Sequence, residues 1–199
     1  MRLFFRLAIG VALTGLATTA NAAVITFDSL ATNSVVGTQS GATFFTPSGD
    51  GEVRVFTGCC SHTDPNSIGS HAGSGFNFNG DVNVTFATAV NNLMFYIGGD
   101  DRVGVAGLVD VFGTSGLLGT FSLIADGNSR TEELQNLSAF LNVTGINIRN
   151  VTDPAGLVYD TFSFNEGAAA VPEPATLSLL GLGLAGLAAR RRTKRLGLG

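Results

Sequence analysis

The chain has 199 residues, a formal net charge of −4 and 45% hydrophobic residues, with its charged and apolar residues unevenly placed. Between Ala23 and Val171 there are four basic residues (Arg54, Arg102, Arg130 and Arg149) against fourteen acids, a balance of −10 with no lysine. A domain of that sign repels a phosphate backbone, which excludes nucleic acid as a partner.

Residues 1–22 read as an export signal. Arg2 and Arg6 precede an apolar stretch, Leu7–Ala20, and Ala20-Asn21-Ala22 closes it with small residues at the first and third positions. Charged, then apolar, then small is the order of a secretory signal peptide, and the apolar part is short for a bilayer span. Cleavage is expected after Ala22.

Residues 23–166 form the working domain, long enough for one real core. Its composition is that of an all-β protein. Candidate strands alternate apolar and polar residues at Val24–Phe27, Ala42–Phe45, Glu52–Thr57, Asp81–Phe86, Asn92–Ile97, Gly107–Phe112, Leu117–Ala125, Gly145–Val151 and Leu157–Phe164. In the last of these Tyr159 is out of phase with Phe162 and Phe164, which predicts a bulge. Turn residues separate the strands, as at Asn79-Gly80-Asp81, Gly98-Gly99-Asp100, Asp126-Gly127-Asn128 and Asp153-Pro154. Only Arg130–Leu141 offers a short helix, opened by Thr131 and Glu132-Glu133. Short strands with frequent turns predict a single two-sheet antiparallel sandwich, jelly-roll-like in topology.

Reactive chemistry in this domain is sparse. Cys59 and Cys60 are the only cysteines and are adjacent. In an oxidising space they can form a vicinal disulfide, stay as thiols or pair with another molecule; the bridge is the preferred reading. His62 and His71 share a Gly/Ser-rich stretch with them, read as a polar surface loop, and the four match no established zinc spacing. No G-x-S-x-G elbow is present, and fourteen acids single out no catalytic pair, so no enzyme is expected. Calcium is the one cation the residues suggest. Asp28 ends the first strand and Asp160 lies in the last, which jelly rolls bring together; Asp100-Asp101 is a second candidate. No other cofactor is implied.

Residues 167–199 read as a linker and a membrane segment. After Gly167–Ala170 come Pro172-Glu173-Pro174, an uncharged stretch Ala175–Ala189, and a basic tail from Arg190 to Arg195. Fifteen residues of helix reach about 22 Å, short of the roughly 30 Å hydrocarbon core, a gap that snorkelling arginines and local thinning can cover. The basic cluster keeps the C-terminus cytoplasmic. Gly181-Leu182-Gly183-Leu184-Ala185-Gly186 fits a dinucleotide fingerprint letter for letter, but it lies within the expected membrane helix, with no strand before it.

The order Pro172-Glu173-Pro174, apolar helix, arginine-rich end resembles the PEP-CTERM sorting signal of Gram-negative, biofilm-forming bacteria. The same tail element is also described as an ice-binding protein C-terminal domain, which concerns the tail and not ice binding. The Leu-Pro-x-Thr-Gly of a sortase signal is absent, and a GPI signal ends in its apolar tail. Val82–Phe86, Val109–Phe112, Leu118–Phe121, Ile146–Ile148 and Tyr159–Phe162 are similar to pieces of the carbohydrate-binding-module-like sandwiches found ahead of such tails. Tyr159 stands where such domains show an Asp.

The resemblance implies recognition by an exosortase, an integral membrane enzyme. The expected protein crosses the inner membrane, is held there by its C-terminal helix, and ends at the cell surface or in the extracellular matrix. Its expected role is structural or adhesive, linked to exopolysaccharide or biofilm, with extracellular polysaccharide as partner. A secreted polysaccharide hydrolase and a sugar-binding module are the alternatives. N-terminal sequencing of the exported protein is expected to begin at Ala23; an exported chain still starting at Met1 would overturn the signal-peptide reading.

Overall fold

The computed structural model describes residues 22–47, 51–73 and 75–166. The expected signal peptide, apart from Ala22, and the expected C-terminal helix lie outside the described residues. Among those described there is no helix, and so none long and apolar enough to cross a membrane. The twelve strands are β1 (Ala22–Ile25), β2 (Thr38–Gln39), β3 (Ala42–Phe45), β4 (Glu52–Thr57), β5 (Asn66–Ala72), β6 (Gly75–Phe76), β7 (Val82–Gly98), β8 (Val103–Gly113), β9 (Gly116–Asp126), β10 (Glu132–Asn136), β11 (Val143–Arg149) and β12 (Val158–Glu166).

The two runs expected at Asp81–Phe86 and Asn92–Ile97 are one strand, β7, of seventeen residues. Fully extended it would run about 55 Å. A domain of this size has a radius of gyration near 15 Å, so the strand must bend. The bend is written in its burial pattern. Val82, Val84, Phe86 and Val90 are buried at even positions, whereas Leu93, Phe95 and Ile97 are buried at odd ones. The inward face switches at Asn91–Asn92, where Asn92 takes φ +54°. Asn is among the few residues that enter the left-handed region readily.

Each half of β7 serves a different layer. The first half pairs with β3 on one side and β11 on the other, and β8 and β9 continue that layer. The second half pairs with β10 and β12; β1 and β5 join β12, and β4 joins β5. Hydrogen bonds therefore run through all twelve strands, while side chains close the two layers on each other as in a β-sandwich. Phe44 of β3 meets Phe162 of β12 edge-on at 5.1 Å, and Phe27 meets Phe44 at 5.5 Å and Phe162 at 6.2 Å. Phe95 stacks on Phe162 at 5.0 Å. All four rings are buried. The bulge expected in the last strand is present: its register with β7 shifts between Asp160 and Ser163, and Thr161 has φ +44°.

Two expectations are corrected. Arg130–Leu141 is not a helix; it contains β10. Glu133 is half-buried and Gln135 and Leu137 are buried, so the run follows the two-residue period of a strand. Gln135 replaces a strand neighbour on its open side: its Nε2 donates to the Ile124 carbonyl at 3.0 Å and its Oε1 accepts from the Ile124 N–H at 3.2 Å. Nor is residues 66–72 a surface loop; it is β5, paired to β4 along its length. Its small residues hid it. Ser67, Ile68 and Ser70 are buried, and a Cβ on Gly69 would lie 3.0 Å from the Phe78 ring.

Because Phe162 touches three other core rings, truncating it leaves a cavity between the layers. Phe162→Ala is expected to cost about 3–5 kcal/mol, measured as a lower midpoint in denaturant unfolding followed by circular dichroism.

Candidate functional site

Four connections meet at one end of the sandwich: residues 58–65 after β4, 99–102 after β7, 127–131 after β9 and 150–157 after β11. They border a groove of about 400 Å³ whose lining includes Phe56, Phe78, Val158, Arg130 and the Cys59–Cys60 pair. Phe56 and Phe78 are in edge contact at 5.0 Å. The groove is thus an apolar floor with one guanidinium at its rim. Loops held on a rigid sheet are the usual place for recognition.

Cys59 and Cys60 are joined in a vicinal disulfide. Cys60 adopts φ +66°, and its carbonyl oxygen would lie 2.5 Å from a Cβ at position 98, so that position tolerates only glycine. Cys60 Sγ lies 3.0 Å from the Ser129 carbonyl oxygen. A bridged sulfur carries no proton, so this is a sulfur–oxygen contact that sets the 127–131 turn against the bridge. His62 stacks on Tyr96 at 3.5 Å. His71 lies in β5, edge-on to Phe76 at 5.2 Å. It pairs with Glu52, at the opposite end of β4 from Cys59 and about 17 Å along the strand. The two cysteines and two histidines are therefore not gathered around one point.

β1 pairs with β12 but ends at Ile25, so Asp28 lies in the turn beyond the first strand rather than at its end, near enough to Asp160 for its charge to act on it. Buried Asp160 accepts from the Thr63 N–H at 2.8 Å and the Thr63 hydroxyl at 3.2 Å on one oxygen, and from the Thr161 N–H at 2.6 Å on the other. Its pKa is raised, first by burial and least by the Asp28 charge, with the hydrogen bonds opposing. Asp28 Oδ1 accepts from the Asn66 N–H at 3.4 Å. The buried Asn66 side chain donates to the carbonyls of Phe27 and Leu30, which fixes the turn that carries Asp28. Tyr159 is fully buried, and its hydroxyl has no hydrogen-bond partner.

A second carboxylate group was not legible in the sequence beyond Asp100. Asp100 follows β7, Asp126 ends β9 and Glu133 lies in β10; one carboxylate oxygen from each lies within 4.8 Å of the others. Among the described residues no other three His, Cys, Asp or Glu side chains lie so close. Burial raises the Glu133 pKa to about 8, reinforced by Asp100 and Asp126. Asp126 and Glu133 lie 26 and 33 positions beyond Asp100; the β8–β9 pairing, which sets Asp126 opposite Val103, brings in the first, and the pairing of β10 with β7, hidden by the helix expectation, brings in the second.

Residues 170–192 match the PEP-CTERM protein-sorting motif, so the chain carries that motif, with Pro172, Glu173 and Pro174 inside it. They lie outside the described residues. No curated protein matches the chain. Among solved structures, the K1 cleaved adhesin domain of Lys-gingipain from Porphyromonas gingivalis W83 is similar at 11% identity and a TM-score of 0.48, covering 74% of this chain and 99% of that one. The K2 cleaved adhesin domain of Lys-gingipain is similar at 12% identity and a TM-score of 0.48, covering 73% and 98%. At these scores neither likeness carries weight for function.

Glu133 generates a pH prediction for the metal-free protein. Its folded pKa lies above the unfolded value near 4.5, so the native state holds the extra proton. The stability this gives is present below about 4.5 and is lost as pH rises through about 8. In chelator, thermal melts are expected to fall across that window. Glu133→Gln should flatten the fall, stabilising the protein at pH 8 and leaving it unchanged at pH 4.

Proposed function

We propose that the chain is an exosortase-sorted protein of the envelope or extracellular matrix, structural or adhesive in type and associated with exopolysaccharide. The observation that carries this reading is the sorting motif at residues 170–192, which implies export, a temporary hold in the membrane and delivery towards the cell surface. The signal peptide, ending at Ala22, and the membrane helix Ala175–Ala189 belong to the proposal, as do the domain limits 1–22, 23–166 and 167–199. We take the two layers as a jelly-roll-like sandwich.

Two features support a binding role over hydrolysis. The groove lining holds no carboxylate, whereas sugar hydrolysis needs two of them flanking the bond. An apolar floor edged by a few polar groups is instead the make-up of a binding groove. Calcium shared by Asp28 and Asp160 is kept within this proposal, supported by the action of the Asp28 charge on Asp160, and is separated from other cation binding by the titration in the next subsection.

A Pro-Glu-Pro expected to stay extended, ahead of a short expected helix, suits a hold that ends when the membrane enzyme reads the motif. Processing near Val171–Pro174 is expected to remove the helix. Mass spectrometry of the surface protein should find no peptide containing Arg195 in cells with the exosortase, and should find it in cells without. An intact C-terminus on the surface form of both strains would make this a simple anchor.

A further inference from the structure

We propose that Asp100, Asp126 and Glu133 form a calcium site that ties together two of the loops bordering the groove. Two independent observations support it. The first is convergence: three carboxylates from β7, β9 and β10 place oxygens within 4.8 Å of one another. A calcium ion with oxygen ligands at 2.3–2.6 Å spans about that distance between opposite ligands.

The second is an orphaned oxygen in the buried member. Asp100 has 0% exposure, and its Oδ1 is buried without a hydrogen-bond partner. A buried carboxylate oxygen left without a donor is costly. The same is true of Glu133 Oε2. The remaining oxygens are already positioned by donors of the 127–131 turn. Asp100 Oδ2 accepts from the Gly127 N–H at 2.7 Å, and Asp126 Oδ1 from the Asn128 N–H at 2.7 Å. The Thr131 hydroxyl reaches Asp126 Oδ2 at 3.2 Å and Glu133 Oε1 at 3.4 Å. The turn thus orients the carboxylates without neutralising them. The ion pairs Arg54–Glu52 and Arg149–Asp110 do not reach the group.

The donor set selects the ion. Three carboxylates without nitrogen or sulfur suit a hard cation. Calcium accepts several carboxylates in irregular geometry, whereas magnesium demands near-ideal octahedral geometry at shorter distances and keeps most of its water. The 127–131 turn also carries Ser129 and Arg130 of the groove lining, so an ion here would order the one cationic side of the groove.

The test uses the full-length chain, freed of metal with chelator and titrated with calcium chloride or magnesium chloride. Calorimetric titration is expected to give a Kd in the range of about 10⁻⁴–10⁻³ M found for extracellular modules. At about 100 times Kd, calcium should shift the folded-to-unfolded ratio by about 100-fold and raise the melting temperature, with magnesium far weaker. Glu133→Gln and, on the exposed side, Asp126→Asn should each abolish the calcium response; both keep side-chain volume and lessen repulsion, so the fold is retained. Asp160→Asn should leave the response intact. No calcium response in the wild-type chain would overturn the proposal, as would a response that survives in Glu133→Gln and Asp126→Asn. A response lost in Asp160→Asn alone would also overturn it, assigning the ion to Asp28 and Asp160. None of these outcomes bears on sorting, which is read from the C-terminus.

Discussion

A single strand has to belong to two layers, and the rest of the domain is arranged around that requirement. β7 offers one set of buried residues to the core before Asn92 and the opposite parity after it. A one-residue change of phase sends every later side chain to the other face of a strand. Without it, Leu93, Phe95 and Ile97 would point to solvent and Met94 and Tyr96 would enter the core. Asn92 makes the change at small cost, and the opposing shift in β12 at Thr161 lets the partner strand follow. The stacked pair Phe95–Phe162 sits just past these two irregularities, one ring on each strand.

The loop end inherits its order from that bend. The second half of β7 brings Tyr96 beneath His62 and Gly98 beneath Cys60, while β12 brings Asp160 to Thr63. The 58–65 connection is therefore held by ring stacking, by close backbone approach and by a buried carboxylate. On the far side of β7, β10 completes the layer, with Gln135 standing in for the missing ladder to β9. The outer face of the other layer is held differently. Arg149 forms a two-pronged ion pair with Asp110 at 2.6 and 2.9 Å, and Thr120 donates to the same carboxylate. That arginine lowers the pKa of Asp110, as expected of a carboxylate met in bidentate geometry.

The sequence was most legible where burial on one face imposes strict alternation. β3 and β4 have the expected limits, and β8, β9, β11 and β12 differ by a few residues at their ends. It was least legible where a strand is built from small or charged residues. β5 reads Asn-Ser-Ile-Gly-Ser-His-Ala, a loop composition, because Phe76 and Phe78 close over Gly69 and need the space. β10 carries two adjacent glutamates that suit the first turn of a helix, and only its partner β7 reveals why one of them faces inwards. The pairing of the first strand with the last followed from strand order alone. The approach of Glu133 to Asp100 required knowing that β10 exists. The sorting tail is the opposite case, since its information is linear and needs no fold to be read.

β12 joins the groove to the tail. It begins at Val158, in the groove lining, and ends at Glu166, six residues before Pro172. Nine residues of strand cover about 27 Å. Ala22 pairs with Asn165, so the chain enters the domain beside the place where it leaves. Both ends of the described domain, Ala22 and Glu166, thus lie at one pole, and the acidic loops with their groove occupy the other. Under the proposed sorting, a domain tethered through Glu166 would present its groove away from the tether, and release at the tail would leave the groove end untouched.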